Sequence, residues 1–193
     1  MAQRFVAHYM ENPPGQTDHS LHVIVNGGGR LTERQKGLFR PLVPEFFYHD
    51  NSGKDVGGYA AFSRQADADF LLCIGAPVRP VCAGWLDMVT LAVENLGPGL
   101  FGFWGFDQPA VHIRTTAFAI STEVLKMYPH QVDNSKRYDF EFGHNSITNF
   151  CLQHGFAVAQ VTQLGAFTPD NFHFVERDES LMWDQHKDRD APT

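Results

Sequence analysis

The chain has 193 residues, of which 43% are hydrophobic and 13% aromatic, and its net charge is −7. This composition predicts one globular domain with a single substantial core and argues against a disordered protein. The acidic balance lacks the basic surface of nucleic-acid-binding proteins, and no apolar run approaches the roughly 20 residues needed to cross a bilayer. Because the first twelve residues hold no apolar core of a signal peptide, we predict a cytoplasmic protein.

The cysteines of this chain are few and scattered. Cys73, Cys82 and Cys151 are odd in number and show no C-x-x-C spacing. We therefore predict reduced core residues, with no disulfide and no thiolate metal site.

Strands and helices alternate along the first half of the sequence. Apolar, branched or aromatic runs predict strands at 21–26, 45–49 and 69–75, because continuous apolar stretches of this length are typical of buried strands. Helical spacing of apolar residues predicts four helices around these strands, at 3–11, 31–40, 56–66 and 84–99. In the last of these, Trp85, Val89, Ala92 and Leu96 form one stripe.

The second half continues the pattern. We predict strands at 100–106, 111–121 and 156–163, and helices at 122–129 and 145–154. Alternation of this kind predicts an α/β fold, in which a mostly parallel sheet carries helices on both faces. No repeat or linker interrupts it, so residues 1–193 form one predicted domain with an irregular polar tail from residue 170.

Polar side chains follow several predicted strands, at the sheet edge where open α/β proteins bind ligands. Asn26 precedes three glycines, and Asp50, Asn51, Lys54 and Asp55 lie in the turn after the second strand. These groups could hydrogen-bond a base or ribose and pair with a phosphate. The alternative is a flexible glycine turn and a solvated turn in which Asp55 caps the next helix.

A second polar cluster lies in the segment "RYDFEFGHNSI". Asp139 and Glu141 are two residues apart, so an extended stretch would point both carboxylates to one side, with His144 close by. A carboxylate there could act as a general base. The alternative is a charged loop in which Arg137 pairs with these carboxylates.

Taken together, the order "VIVNGG", "NSGKDVGGYAAF", "DFLLCIGAPVRPVCAGWLDMVTLAV", "GPGLFGFWG", "HIRTTAFAIS" and "YDFEFGHNSITNF" resembles GT-A-fold glycosyltransferases of the family-2 type, nearest to those of bacterial polysaccharide and rhamnan synthesis. The resemblance spans roughly residues 21 to 186, and the order of the motifs carries it more than any single motif. It implies a Rossmann-like GT-A domain that binds a nucleotide-sugar donor and a glycan acceptor.

The resemblance also implies a role for each matching residue. Asn26 and Asn51–Asp55 would bind the nucleotide, Gly75–Val78 occupies the place of the family's Asp-x-Asp, and Trp85 lies on the acceptor side. Glu141 would deprotonate the acceptor hydroxyl, and His186 would reach the diphosphate from a late segment. The resemblance also implies that Asp50 and Arg79 bind the donor and that His144 lies on the acceptor side. Asp139 would lie beside the catalytic base.

Two departures from the family pattern bear on these expectations. The segment "IGAPVRP" offers no carboxylate, so the sequence argues against the Mn²⁺ or Mg²⁺ that Asp-x-Asp would hold, and Arg79 or Lys54 would neutralise the diphosphate instead. The family sheet also begins with a strand and loop that hold the base, whereas this sequence begins in the helix that follows them. The resemblance therefore implies either that this strand lies upstream of Met1 or that the nucleotide site is incomplete.

The sequence thus predicts an inverting glycosyltransferase, with two alternatives. The first is a non-catalytic module, derived from such an enzyme, that binds a sugar or a nucleotide. The second is an unrelated nucleotide-binding α/β protein.

Overall fold

The computed structural model describes residues 1–108, 110–130, 132–133, 137–176 and 178–185. The helices are α1 (Ala2–Glu11), α2 (Glu33–Gly37), α3 (Lys54–Ser63), α4 (Trp85–Leu96), α5 (Thr122–Met127), α6 (Arg137–Glu141) and α7 (Ile147–Gln153), with 3-10 helices at Arg40–Leu42 and Pro169–Phe174. The strands are β1 (His22–Asn26), β2 (Glu45–His49), β3 (Phe70–Ile74), β4 (Val78–Pro80), β5 (Gly99–Gly102), β6 (Gly105–Phe106), β7 (His112–Ile113), β8 (Ala117–Ser121), β9 (Ala157–Thr162), β10 (Gly165–Phe167) and β11 (Met182–Asp184).

The main sheet has five strands in the order β10-β9-β5-β8-β3. Only β5 and β9 are parallel, while β8 runs antiparallel to both of its neighbours and β10 runs antiparallel to β9. The prediction of a mostly parallel sheet is therefore wrong, although the α/β class is confirmed. The reason lies between β5 and β8, where the chain returns through the β6–β7 hairpin and no described helix carries it across the sheet.

Alternating side chains of the central strands build a core on each face of this sheet. On β8, Phe118 and Ile120 face one core, which is closed by α3, α5, α6 and α7, while Ala117 and Ala119 face the other. That second core is closed by α4 and the β4–β11 pair. The successive residues of a strand point to opposite faces, so a continuous apolar run serves two cores at once. Helices consequently pack on both sides of the sheet.

A separate parallel pair, β1 and β2, lies beside α3. Its register aligns His22 with Glu45 and Asn26 with His49, so both strands end together. Helix α3 packs closely on β1, because a Cβ added at Gly58 would lie 2.9 Å from Ile24 Cγ2. The chain then passes through α3 into β3, which gives the strand–helix–strand crossover that normally joins parallel strands.

The first segment is fastened to α4. The Asp87 carboxylate accepts hydrogen bonds from the backbone N–H groups of Gln16 and Thr17 and from the Thr17 hydroxyl at 2.6 to 3.0 Å. These bonds lower the pKa of the Asp87 carboxyl. The indole of Trp85 donates to the Asn12 carbonyl at 2.9 Å. Helix α1 is thereby held against the end of the apolar stripe that the sequence predicted.

The chain beyond residue 169 is more ordered than predicted. A 3-10 helix spans Pro169–Phe174, and β11 pairs antiparallel with β4. Phe172, Leu181 and Met182 are buried in the two cores, which explains why this polar-looking segment folds onto the domain. The expectation of an irregular tail is therefore wrong as far as Gln185.

The prediction of reduced core cysteines holds for Cys73 and Cys151, whereas Cys82 is only half-buried. All three cysteines are free thiols, with Cys73 and Cys151 buried, and burial raises the pKa of both. Over the described residues, no helix has the length and apolarity that a membrane crossing requires.

Candidate functional site

The carboxyl ends of β1 and β2 meet in the turn that the sequence singled out. The Nδ1 atom of His49 lies 3.1 Å from Oδ1 of Asn26, so the two strand ends are linked through their side chains. Asp50 accepts hydrogen bonds from the N–H and hydroxyl of Ser52 at 2.8 and 2.7 Å, and these bonds lower the pKa of its carboxyl. Asp50 therefore stabilises the turn through Ser52.

The turn has an unusual backbone. Asn51, Gly53 and Lys54 all have positive φ, at 77°, 70° and 54°. Gly53 has a second reason to be glycine, since a Cβ there would lie 2.4 Å from the carbonyl oxygen of Val132. Asn51 and Lys54 are exposed and lie outside the lining of the neighbouring cleft. Of the four polar residues predicted here, only Asp55 contributes to that cleft.

A cleft of about 1010 Å³ separates the β1–β2 pair from the main sheet. Asn26, Asp55, Gly75 and Trp85 all line it, so the structure brings together four of the predicted site residues. The cleft is acidic: its lining includes two histidines (His19 and His22) and five carboxylates (Asp18, Glu45, Asp55, Asp67 and Asp69), with no Lys or Arg among the described lining residues. A free phosphate would be repelled here, whereas hydroxyl and amino groups would find acceptors.

Asp55 is the carboxylate at the carboxyl end of this cleft. It is half-buried in the first turn of α3, and within the described part of the chain no hydrogen bond or ion pair reaches its side chain. Its charge acts on two buried groups nearby. Burial and then Asp55 raise the pKa of Cys73 on β3, and burial, then Cys73 and last Asp55 raise the pKa of Tyr59. The predicted helix-capping role is not observed, because Gly53 is the N-cap.

Gly75 closes the cleft beyond β3. Its N–H donates to the Thr116 carbonyl at 2.7 Å, and a Cβ at this position would lie 2.9 Å from the same oxygen. Glycine is required because two chain segments meet there. Trp85 is buried at the other side of the cleft, where its ring packs edge-on against Tyr9 with centroids 5.7 Å apart.

The predicted carboxylate pair Asp139 and Glu141 does not form a joint site. Residues 137–141 are the helix α6, so side chains two positions apart point in different directions, and the extended conformation that we expected is wrong. Asp139 is exposed, while Glu141 accepts hydrogen bonds from the N–H and the hydroxyl of Thr115 at 2.7 and 2.5 Å. The Glu141 carboxylate therefore holds the turn between β7 and β8.

The remaining predicted residues lie outside the cleft. Arg79 stacks its guanidinium on the ring of Trp183, with the two centres 3.9 Å apart, and so joins β4 to β11. His144 is exposed beyond α6. His186 lies outside the described residues. Over the part of the chain that the structure describes, no group of three or more His, Cys, Asp and Glu side chains could hold a metal ion.

A second pocket, of about 490 Å³, was not predicted. Helix α3 separates it from the cleft, and its described lining contains four basic residues (His49, Arg64, Lys126 and His130) and no Asp or Glu. Two of these have acidic neighbours outside the lining, since Lys126 pairs with Glu123 at 2.8 Å and His49 lies 3.5 Å from Asp50. No sequence pattern indicates this pocket, because Arg64, which follows α3, and Lys126 in α5 are 62 residues apart along the chain.

Comparisons with known proteins give few matches. No family model matches the chain, and no curated protein does. Among solved structures it is similar to HddC from Yersinia pseudotuberculosis, with 13% identity, a TM-score of 0.45, and coverage of 72% of this chain and 69% of that one. A second structure of HddC, complexed with GMP-PN, has a TM-score of 0.33 at the same identity and covers 47% of this chain and 49% of that one.

These matches require a correction. The sequence predicted a glycosyltransferase, but the structures that match are of HddC, and the prediction of glycosyl transfer is wrong.

Proposed function

We propose that this protein binds a nucleotide, with the nucleoside part at the carboxyl end of the acidic cleft. The observation that carries this proposal is Asp55, a half-buried carboxylate without a hydrogen-bond partner in the described chain. Because its oxygens are not committed to another described protein group, this carboxylate at the carboxyl end of the cleft can accept hydrogen bonds from a ligand.

The surroundings of Asp55 fit a ribose. An acidic side chain near the carboxyl ends of sheet strands commonly accepts hydrogen bonds from ribose hydroxyls. Asn26 lines the same end of the cleft and offers an amide that can both donate and accept. Tyr59 lines the α3 side and supplies aromatic surface for a base.

The phosphates of such a ligand would point out of the cleft. The described residues of the lining include no Lys or Arg, whereas Lys54 is exposed next to Asp55 in the chain. Phosphate groups would therefore add little to the affinity, and a nucleoside should bind about as well as its nucleotide. This expectation separates the proposed site from the many nucleotide sites in which phosphate contacts dominate.

Calorimetric titration with nucleosides and nucleotides tests the proposal. We expect ribonucleosides to bind and their 2′-deoxy forms to bind more weakly, because a hydrogen bond to a charged group contributes about 1.5–3 kcal/mol. Asp55→Asn should abolish that difference, while Asp67→Asn, a matched change elsewhere in the cleft lining, should retain it. Equal binding of ribose and deoxyribose forms by the parent protein, or no binding of either, would rule the proposal out.

The basic pocket supports a second candidate function, the binding of a phosphorylated small molecule. In a protein of net charge −7, Arg64 and Lys126 lie around one pocket together with His49 and His130, and the described lining has no carboxylate, so the pocket is a local attraction for anions. Inorganic pyrophosphate is the simplest probe, and its binding should weaken as the salt concentration rises.

A further inference from the structure

The cleft has a second property that the nucleotide proposal does not use. Strand β1 pairs with β2 and strand β3 pairs with β8, and neither has a partner on its other edge among the described residues. Residues 19–24 and 69–76 line the same cleft in unbroken runs. The two open edges therefore face one cleft along its whole length.

The sequences of these strands are those of inner strands. "HVIV" and "FLLCI" are continuous apolar runs, which are typical of strands with neighbours on both sides. Strand β8 has such a sequence and two neighbours, and all five of its residues are buried. In β1 no residue is buried, and in β3 only Cys73 is.

The open edges also lack the usual protection. Natural edge strands carry Lys, Pro or a bulge that prevents pairing with another strand. Neither β1 nor β3 contains Lys or Pro, and both pair with their neighbours in regular register. Because β1 is parallel to β2, and the α3 crossover leads from β2 to β3, the two edges are suited to one strand that runs parallel to both.

The walls and ends of the cleft specify what such a strand would look like. Apolar side chains line the α3 side (Tyr59 and Phe62) and the α1–α4 side (Phe5, Tyr9, Trp85 and Leu86), so both faces of an inserted strand would be apolar. The carboxylates Asp18, Glu45, Asp67 and Asp69 all lie at or before the amino ends of the neighbouring strands. A parallel strand would therefore bring its amino-terminal flank to an acidic surface.

We propose that the cleft binds an extended segment of another polypeptide, with about five continuous apolar residues preceded by Lys or Arg. This segment inserts parallel to β1 and β3, and its backbone bonds to both open edges, as in the strand addition by which several peptide-binding domains work. The result is one continuous sheet in the order β2-β1-inserted strand-β3-β8-β5-β9-β10. The proposal does not rest on nucleotide binding, but Tyr59 would contact both ligands, so a bound peptide should compete with a nucleoside.

The test uses dye-labelled peptides and the full chain, with fluorescence anisotropy as the readout. One peptide has three lysines followed by Val-Ile-Leu-Val-Ile, a second replaces the lysines by glutamates, and a third keeps the lysines but carries N-methyl groups on alternate apolar residues. We expect saturable binding of the first peptide. N-methylation should weaken it by at least about tenfold, because several backbone hydrogen bonds are lost while the side chains remain.

Charge-swap variants locate the peptide. Asp67→Lys with Asp69→Lys should weaken binding of the lysine peptide and strengthen binding of the glutamate peptide, each by about three- to tenfold. Glu94→Lys, an exposed position outside the cleft lining, is the control and should change neither by more than about twofold. Hydrogen exchange should slow at the amides of residues 22–26 and 70–74 that do not already bond to β2 or β8.

Three outcomes would overturn the proposal. The first is equal binding of the N-methylated and unmethylated peptides, which would show apolar adhesion without strand pairing. The second is an absence of binding, or of new amide protection in β1 and β3. The third is protection of those amides in the protein alone together with dimers in sedimentation, which would assign the cleft to a second copy of this chain.

Discussion

The acidic cleft and the basic pocket lie on opposite sides of the same helix, and their linings have opposite charge. Five carboxylates line the cleft, whereas four basic side chains line the pocket. The net charge of −7 describes neither of them. This difference teaches that the ligand class of a site depends on which charges the fold gathers around it, because exposed charges beyond about 10 Å are screened.

The largest expected effect comes from the helix that separates the two sites. Tyr59 is buried against Phe118, with ring centroids 5.9 Å apart. Tyr59→Ala should reduce the free energy of unfolding by about 3–5 kcal/mol, since it removes a large buried ring, and should weaken binding in both sites. Urea denaturation measures the first effect. Leu91→Ala, a change at an exposed apolar residue of α4, should cost less than about 1 kcal/mol.

The next prediction concerns the independence of the two sites. Arg64→Ala should weaken pyrophosphate binding by about 1.5 kcal/mol, roughly tenfold, because one charge-assisted contact is lost. The same variant should leave nucleoside binding unchanged, and Asp55→Asn should show the reverse pattern. Titration of both variants with both probes measures this. A loss of both activities in either variant would mean that the two sites act as one.

A smaller effect is expected on the pH dependence of stability, through Tyr128 in the lining of the basic pocket. Burial, and then the charge of Asp139, raise the pKa of Tyr128 to about 12. The unfolded chain releases this proton near pH 10, so between pH 10 and 12 it binds fewer protons than the folded protein. Stability should therefore fall with rising pH.

Tyr128→Phe isolates this contribution from those of the other buried groups. Between pH 9 and 11, the free energy of unfolding should fall by about 1 kcal/mol less in the variant than in the parent protein. The difference is this small because the Tyr128 side chain is only partly buried. Denaturation curves at several pH values measure this difference. Identical pH profiles for the two proteins would contradict the raised pKa.

The smallest effect is expected at the Glu123–Lys126 pair. Glu123 is exposed, and surface pairs of this kind contribute about 0–1 kcal/mol. Glu123→Gln should therefore change the free energy of unfolding by less than about 0.5 kcal/mol. It should also raise pyrophosphate affinity by about twofold, because Lys126 loses its carboxylate partner. If the affinity instead falls, Glu123 positions the lysine for the anion.

Much of the local structure could be predicted from the sequence. The apolar runs at β1, β3 and β9 lie where the patterns indicate. On α4, Trp85, Val89 and Ala92 of the predicted stripe are buried, while Leu96 is exposed. Asn26 and the polar turn after β2 were identified through one rule, that ligand-binding side chains lie at the carboxyl ends of strands. These features depend on residues within about ten positions of each other.

The misjudged features depend on contacts between distant parts of the chain. The direction of β8 follows from its pairing with β3 and β5, and Glu141 is committed to Thr115, 26 residues earlier. Arg79 stacks on Trp183, which is 104 residues later in the chain, whereas the resemblance implied that it binds the donor.

The sequence by itself determined where strands and helices form and which strand ends carry polar groups, because local periodicity and capping suffice for that. Only the tertiary structure decided which strands are neighbours, which carboxylate stays unpaired and where charges of one sign collect. The physical reason is that pairing and charge environment are properties of the surfaces that meet, and the residues that meet are separated by tens of positions in the chain.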